Sequence, residues 1–232
     1  MPYQGIFKRK ELKYLLDTEQ YGAVLSLLDG RMKLDEYGHS VICSLYFDTP
    51  DYRLIRTSMQ KPPYKEKLRL RTYGTPTDGS IAFAEIKKKY KGIVYKRRVM
   101  LPYADALGWM TGGRGYPEPC QISREIDYLL GYYAPLSPAC VLCYDRDAYY
   151  SEEDEGLRVT FDTNVRYRFT ELDLRMGDQG ERITEDGQYL MEIKIAGGMP
   201  LWLARGLSDA GIFPTSFSKY AHAYMKHIHK KG

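Results

Sequence analysis

Apolar and polar positions alternate with a period of two in several short runs of the chain, and recur with a helical step in others. Lys65-Glu-Lys-Leu-Arg-Leu-Arg71 sets Lys65, Lys67, Arg69 and Arg71 on one side and Leu68 and Leu70 on the other, as a half-buried strand does. Phe83 to Lys87 sets Glu85 and Lys87 against Ala84 and Ile86. Leu157 to Asp162 sets Arg158, Thr160 and Asp162 against Val159 and Phe161, and Leu190 to Ile195 sets Glu192 and Lys194 against Met191, Ile193 and Ile195. Tyr144 and Arg146 share a face, as do Arg9, Glu11 and Lys13. The turn residues from Gly74 to Gly79 join two of these strands as a hairpin. A helix is predicted after Asp17, capped with Gln20, with Tyr21, Val24, Leu25 and Leu28 on its apolar face and Gly30 at its end. Ile122, Ile126, Leu129 and Leu130 predict a second between Pro119 and Tyr133. Leu201 to Leu207 predict a short third after Pro200, and a last helix runs from near Ser218 toward Lys231.

Composition narrows the picture. The length of 232 residues, 44% of them hydrophobic and 28% charged, is that of an ordinary globular chain, expected to form one domain over 1–232. The 34 basic and 30 acidic side chains leave +4, too little for a whole-molecule field that would gather nucleic acid. Locally the balance differs. Lys61 to Arg98 carries twelve basic residues against three acidic ones, a net +9 that leaves −5 for the rest. Such strand faces are compatible with the wet side of an antiparallel sheet whose other side packs on helices. Exposed faces, however, ordinarily mix both signs with Ser and Thr, whereas here at least five strands each offer Arg or Lys. If they close into a barrel, the cationic interior needs counter-ions, which a polyanion would supply. The expected fold is therefore α+β, an antiparallel eight-stranded barrel forming a tunnel with a charged interior and helices packed outside.

Several other chemistries find no footing. Cys140 and Cys143 lie in an apolar strand with no partner pair at zinc spacing, so buried strand cysteines are expected, and no disulfide framework. Neither phosphate-binding glycine motif occurs; Gly112-Gly-Arg-Gly115 lacks the final glycine. His222, His227 and His229 do not have the i, i+4 spacing of a metal pair and are expected to face solvent. No run approaches the apolar length of a membrane span and no signal segment leads the chain, so a soluble, cytoplasmic protein with no membrane insertion is expected. Aromatic platforms for bases are not interleaved with the basic faces, despite 22 tyrosines, which argues against RNA.

Taken together the charged strands resemble the VTC domain, the polyphosphate polymerase branch of the CYTH-like triphosphate tunnel metalloenzymes. The pieces that carry the resemblance are Glu11-Leu-Lys-Tyr14, Ser44-Leu-Tyr-Phe-Asp-Thr49, Leu68-Arg-Leu-Arg-Thr-Tyr-Gly74, Ala84-Glu-Ile-Lys87, Tyr144-Asp-Arg146, Arg158-Val-Thr-Phe-Asp-Thr163, Met191-Glu-Ile-Lys194 and Phe217-Ser-Lys-Tyr220. They span Phe7 to about Tyr224, and the twelve-residue step from Arg146 to Arg158 is kept. The resemblance implies a tunnel in which Arg69, Arg71, Lys87, Arg146, Arg158 and Lys219 act on phosphates. It further implies that Lys13, Glu11, Tyr144, Ser218, Lys194 and Glu85 line the substrate path. Glu192 falls on the family's metal-binding glutamate, which implies Mn²⁺ or Mg²⁺. The expected partners are ATP and inorganic polyphosphate, with no nucleic acid.

The wider superfamily opens on a Glu-x-Glu-x-Lys strand, but Arg9 stands in place of the first glutamate, which favours the polymerase branch. Ser216 stands where that branch carries a basic residue. The regulatory inositol-phosphate-sensing domain and the membrane helices of the eukaryotic polymerases are absent from this sequence. Phosphoryl transfer needs positioning and charge neutralisation rather than a nucleophilic side chain. Three functions follow in order: an ATP-dependent polyphosphate polymerase; a tri- or polyphosphate phosphohydrolase using Glu11 or Glu85 to orient water; and a non-catalytic polyphosphate-binding module.

Overall fold

A computed structural model describes residues 10–91 and 93–230; Arg9, expected to share a face with Glu11 and Lys13, lies outside the described residues. Among the described residues nine strands and six α-helices follow one another: β1 (Lys10–Leu16), α1 (Thr18–Leu28), β2 (Lys33–Asp48), α2 (Arg53–Met59), β3 (Tyr64–Tyr73), β4 (Ile81–Tyr90), β5 (Ile93–Pro102), α3 (Tyr103–Met110), α4 (Gln121–Tyr132), β6 (Ser137–Tyr150), β7 (Arg158–Arg168), β8 (Glu181–Arg182), β9 (Tyr189–Ile195), α5 (Leu201–Asp209) and α6 (Lys219–His229). All strand pairs are antiparallel, in the order β1-β9-β7-β6-β2-β3-β4-β5, with β8 beside β7.

The class and the eight strands along the main path are as expected, but the ladder does not close: among the described residues no backbone pairing joins β1 to β5. The sheet nevertheless curls. In a flat sheet β1 and β4, with five strands between them, would lie about 29 Å apart, yet Lys87 Nζ on β4 is 3.3 Å from Glu11 on β1. Side chains, not backbone bonds, span this seam. Part of the edge is also taken up by the chain itself, since the Thr215 amide donates to the Lys13 carbonyl at 2.7 Å.

Alternation then sorts the two faces. Leu68, Leu70, Ala84 and Ile86 join Leu45, Phe47, Trp109, Ile126 and Leu129 in a core beneath α3 and α4. Val159, Phe161, Met191, Ile193 and Ile195 pack with Val24, Leu28, Leu203 and Leu207 of α1 and α5. The third core corrects the expectation that every helix packs outside. Ile42, Tyr46, Leu142 and Tyr144 are on the same sheet face as Ser44 and Arg146, and they meet Ile55 of α2 and Tyr220 and Ala223 of α6. Two helices therefore cover part of the inner face, and α6 directs its first turn among the charged side chains.

Local chemistry accounts for most of the helices. Asp17 and Gln20 form the predicted capping box, and Gly30, at φ +68°, turns the chain away after α1. Ser218 accepts from the Ala221 amide at the start of α6. Cys140 and Cys143 are buried, on opposite faces of β6. His222 and His229 are exposed as expected, but His227 is half-buried, stacked on Phe169 with ring centroids 3.8 Å apart. Among the described residues no helix is long and apolar enough to cross a membrane.

Candidate functional site on the inner wall

The inner wall is built around four carboxylates, each tied to more than one cation. Glu85 on β4 is buried against β3 and β5. Arg69 Nε donates to its Oε2 at 2.7 Å, Arg71 Nε lies 3.8 Å from the same oxygen, and Lys96 Nζ lies 2.6 Å from Oε1. Burial alone would raise its pKa, but the three cations hold it far below the usual carboxylate range. Arg69 also donates to the Tyr46 hydroxyl at 3.1 Å, and Arg71 to the Tyr144 hydroxyl at 3.2 Å and to Ser44 Oγ at 3.4 Å. Burial would raise the Tyr46 hydroxyl, but Arg69, Arg71 and Lys219 lower it instead.

Across the wall Asp162, fully buried on β7, takes both guanidinium arms of Arg146 at 2.5 and 2.7 Å, and pairs with Lys219 from the first turn of α6. Glu192 on β9 takes Lys13 at 3.0 Å, Lys219 at 3.3 Å and Arg146 at 3.7 Å. Burial opposes ionisation of both carboxylates, and their cations overcome it. Those cations gain in turn: Lys219 is desolvated, yet Asp162 and Glu192 raise its pKa. Glu11 lies between Lys87 at 3.3 Å and Lys13 at 3.5 Å. Burial would raise it, but Lys87, with Lys13 and Lys194, pulls it down to about 2.

Cations outnumber these carboxylates. Lys67 on β3 reaches only the Ser218 hydroxyl, 3.0 Å away, and Lys194 on β9 makes no ion pair within 4 Å among the described residues. Burial lowers Lys67 to about 7 with Lys87 adding to it, and lowers Lys194 to about 8 with Arg146 adding to it. Lys96 falls to about 7, burial outweighing Glu85.

All thirteen residues predicted from the sequence share this wall: Glu11, Lys13, Arg69, Arg71, Glu85, Lys87, Tyr144, Arg146, Arg158, Glu192, Lys194, Ser218 and Lys219. Arg158 is the outlying member. It is half-exposed and paired with Asp35 of β2. Asp162, Tyr46, Lys67 and Lys96 also belong to the wall and were not among the residues expected from the sequence. Asp162 shares strand parity with Arg158, and Tyr46 with Ser44, so both could have been found; Lys96 is masked by the run Lys96-Arg-Arg98.

Among the described residues no three His, Cys, Asp or Glu side chains converge on one point as a metal cage. Glu192 offers a single carboxylate, with Glu11 sharing its Lys13. This donor set fits a hard divalent ion held chiefly by phosphate oxygens and water.

The VTC domain family matches residues 8–228. The chain belongs to the VTC domain family. Solved structures share its fold at low identity. A Bacillus halodurans protein described as a candidate adenylate cyclase superposes with a TM-score of 0.54 at 16% identity, covering 92% of this chain and 94% of that one. A Vibrio parahaemolyticus protein described likewise gives 0.50 at 12%, covering 95% and 99%. A Hippeastrum protein described as a candidate adenylyl cyclase with a dominant triphosphatase activity gives 0.51 at 14%, covering 91% and 92%. No curated protein matches the sequence. The family match and these neighbours agree on the fold.

Proposed function

We propose that this VTC-family protein is an ATP-dependent polyphosphate polymerase, residues 1–232 acting as one tunnel domain in the cytoplasm. The observation that carries the reading is the surplus of desolvated cations: among the described residues Lys67 and Lys194 have no carboxylate within ion-pair reach, on a wall where Arg69, Arg71, Arg146 and Lys219 are already oriented by buried acids. A wall of this kind suits a polyanion whose charge repeats along its length, such as polyphosphate with the triphosphate of ATP at its end.

In this reading a terminal oxygen of the chain attacks the γ-phosphorus of ATP, a new P–O bond forms, the β–γ bond breaks and ADP leaves. That oxygen is ionised near neutral pH, so no side chain has to remove a proton. Arg69, Arg71 and Arg146 hold the phosphates in line and offset charge on the equatorial oxygens. Lys87 and Lys219 neutralise the flanking groups, and Tyr144 orients Arg71. Ser218 and Lys219 present the opening turn of α6. Glu192 would hold Mn²⁺ or Mg²⁺, which supplies further neutralisation of phosphate charge when bound.

A phosphohydrolase is the second reading, favoured by the triphosphatase activity ascribed to the Hippeastrum neighbour. The two carboxylates that would orient water are, like Glu192, paired with cations. Glu85 is tied to Arg69, Arg71 and Lys96, and Glu11 to Lys87 and Lys13.

Incubation with ATP and Mn²⁺, followed by gel staining for polyphosphate and assays of ADP and orthophosphate, tests the assignment. Long chains with matching ADP are expected. Orthophosphate without chain growth would replace it with the hydrolase, and bound polyphosphate without turnover with the binding module. Arg69→Ala should lose about 2–5 kcal/mol of transition-state stabilisation, roughly 30-fold or more in kcat/KM; near-full turnover would exclude the assigned role.

A further inference from the structure

Among the described residues, one hydroxyl on the wall has no hydrogen-bond partner. Thr160 sits mid-β7, with its side chain on the face it shares with Asp162 and opposite the cored Val159 and Phe161. It is 1% exposed, and its hydroxyl makes no hydrogen bond among the described residues. Its cross-strand neighbours are Glu192 on β9 and Ala148 on β6, and the next inward pair along β7 and β9 is Arg158 and Lys194.

A buried hydroxyl left without a partner is destabilising. On an inner strand face a valine of the same shape would fill the space without that cost, so the hydroxyl calls for an explanation. The carboxylate of its cross-strand neighbour Glu192 pairs with Lys13, Lys219 and Arg146 and makes no hydrogen bond with Thr160. The next residue on this face of β9, Lys194, makes no ion pair within 4 Å among the described residues and draws an anion rather than a cation; Arg158 opposite it is already paired with Asp35. A donor with no acceptor among the described residues, next to a lysine that no carboxylate there approaches within 4 Å, is complementary to a phosphate oxygen.

We propose that Thr160 is a substrate-binding residue, its hydroxyl donating a hydrogen bond to a non-bridging phosphoryl oxygen held at the corner formed by Arg158, Glu192 and Lys194. This rests on reading the wall as a polyphosphate site and adds to it a neutral contact that sets where along the wall a phosphate stops. A row of cations alone lets a polyanion slide; a single directional donor favours one register. The hydroxyl is satisfied only when the site is filled.

The test compares the full chain with Thr160→Val and Thr160→Ser, using sodium tripolyphosphate in EDTA as the probe in calorimetry, and melting each protein empty. Thr160→Val should bind roughly 10-fold weaker or worse, as loss of a hydrogen bond to a charged acceptor requires. Thr160→Ser should stay within about threefold, since the donor is retained. Empty Thr160→Val should melt no lower than the wild type, because it loses an unsatisfied group. Equal affinity of Thr160→Val and wild type overturns the proposal. So does a lower melting temperature or failure to fold for Thr160→Val, which would mean that the hydroxyl has a partner, such as a buried water, in the empty protein. If the wild type itself does not bind tripolyphosphate, the polyphosphate reading falls and the Thr160 role with it. If Arg69→Ala weakens binding while Thr160→Val does not, only the Thr160 role is lost.

Discussion

Lys67, Lys96 and Lys194 carry the wall's response to pH. In the folded protein burial brings them to about 7, about 7 and about 8, whereas in the unfolded chain they keep the ordinary lysine value near 10.5. Between about pH 7 and 10 the unfolded chain thus binds more protons than the folded one. The contribution of these three groups to stability rises with pH through that window. Binding of a polyanion runs the other way. Phosphate favours the charged lysines, so binding takes up protons, and affinity for tripolyphosphate should fall as pH rises from 7 to 8.5. Calorimetry in buffers of different ionisation enthalpy, together with denaturant melts across the same range, measures both slopes. Parallel slopes would show that these lysines are not at the binding surface. Glu11 behaves as the acid limb. Depressed to about 2, it stabilises the fold above the ordinary glutamate range, and that contribution is lost as pH falls from about 4.5 toward 2.

Elements whose signals are local were legible, and those governed from a distance were not. α1 announces itself through Asp17 and Gln20, and β3 through the alternation from Lys65 to Arg71. α2 escaped because its capping carboxylate is not at its start: Asp48, at the end of β2, accepts from the Leu54 and Ile55 amides and from the Tyr220 hydroxyl. The placement of α6 on the inner face was equally hidden, since Tyr220 and Ala223 look the same on either side of a sheet. The charged wall was legible because strand parity alone sets its direction. Its internal pairing was not, because which carboxylate meets which cation depends on curvature. Two caps separate fold from function. Asp17→Ala and Ser218→Ala should each lower stability by about 1 kcal/mol in denaturant melts. Only Ser218→Ala, which also removes the hydroxyl that receives Lys67, should alter tripolyphosphate affinity. Equal affinity in both variants would place Ser218 in a purely structural role.

At the scale of the molecule, an open ladder is drawn together by a side-chain ion pair. Lys87 and Glu11 span the seam between β4 and β1. Lys87→Ala should therefore speed hydrogen exchange along β5, the free edge, while leaving the interior strands β2 and β6 protected. Unchanged exchange at Ile93–Pro102 would mean that the pair does not hold the seam.

The pairing of β1 with β9 also determines when the wall can exist. Lys13 lies opposite Glu192, and the Lys13 carbonyl is reached by Thr215. The strand made early in synthesis thus waits for segments made near its end. Contacts of such long sequence separation form late, after local hairpins such as β3–β4 are in place. During translation the basic faces of β3 and β4 emerge before the acids Asp162 and Glu192 that will neutralise their neighbours. A nascent chain is therefore a cationic hairpin without a pocket, and the wall is complete only after nearly every strand has been added.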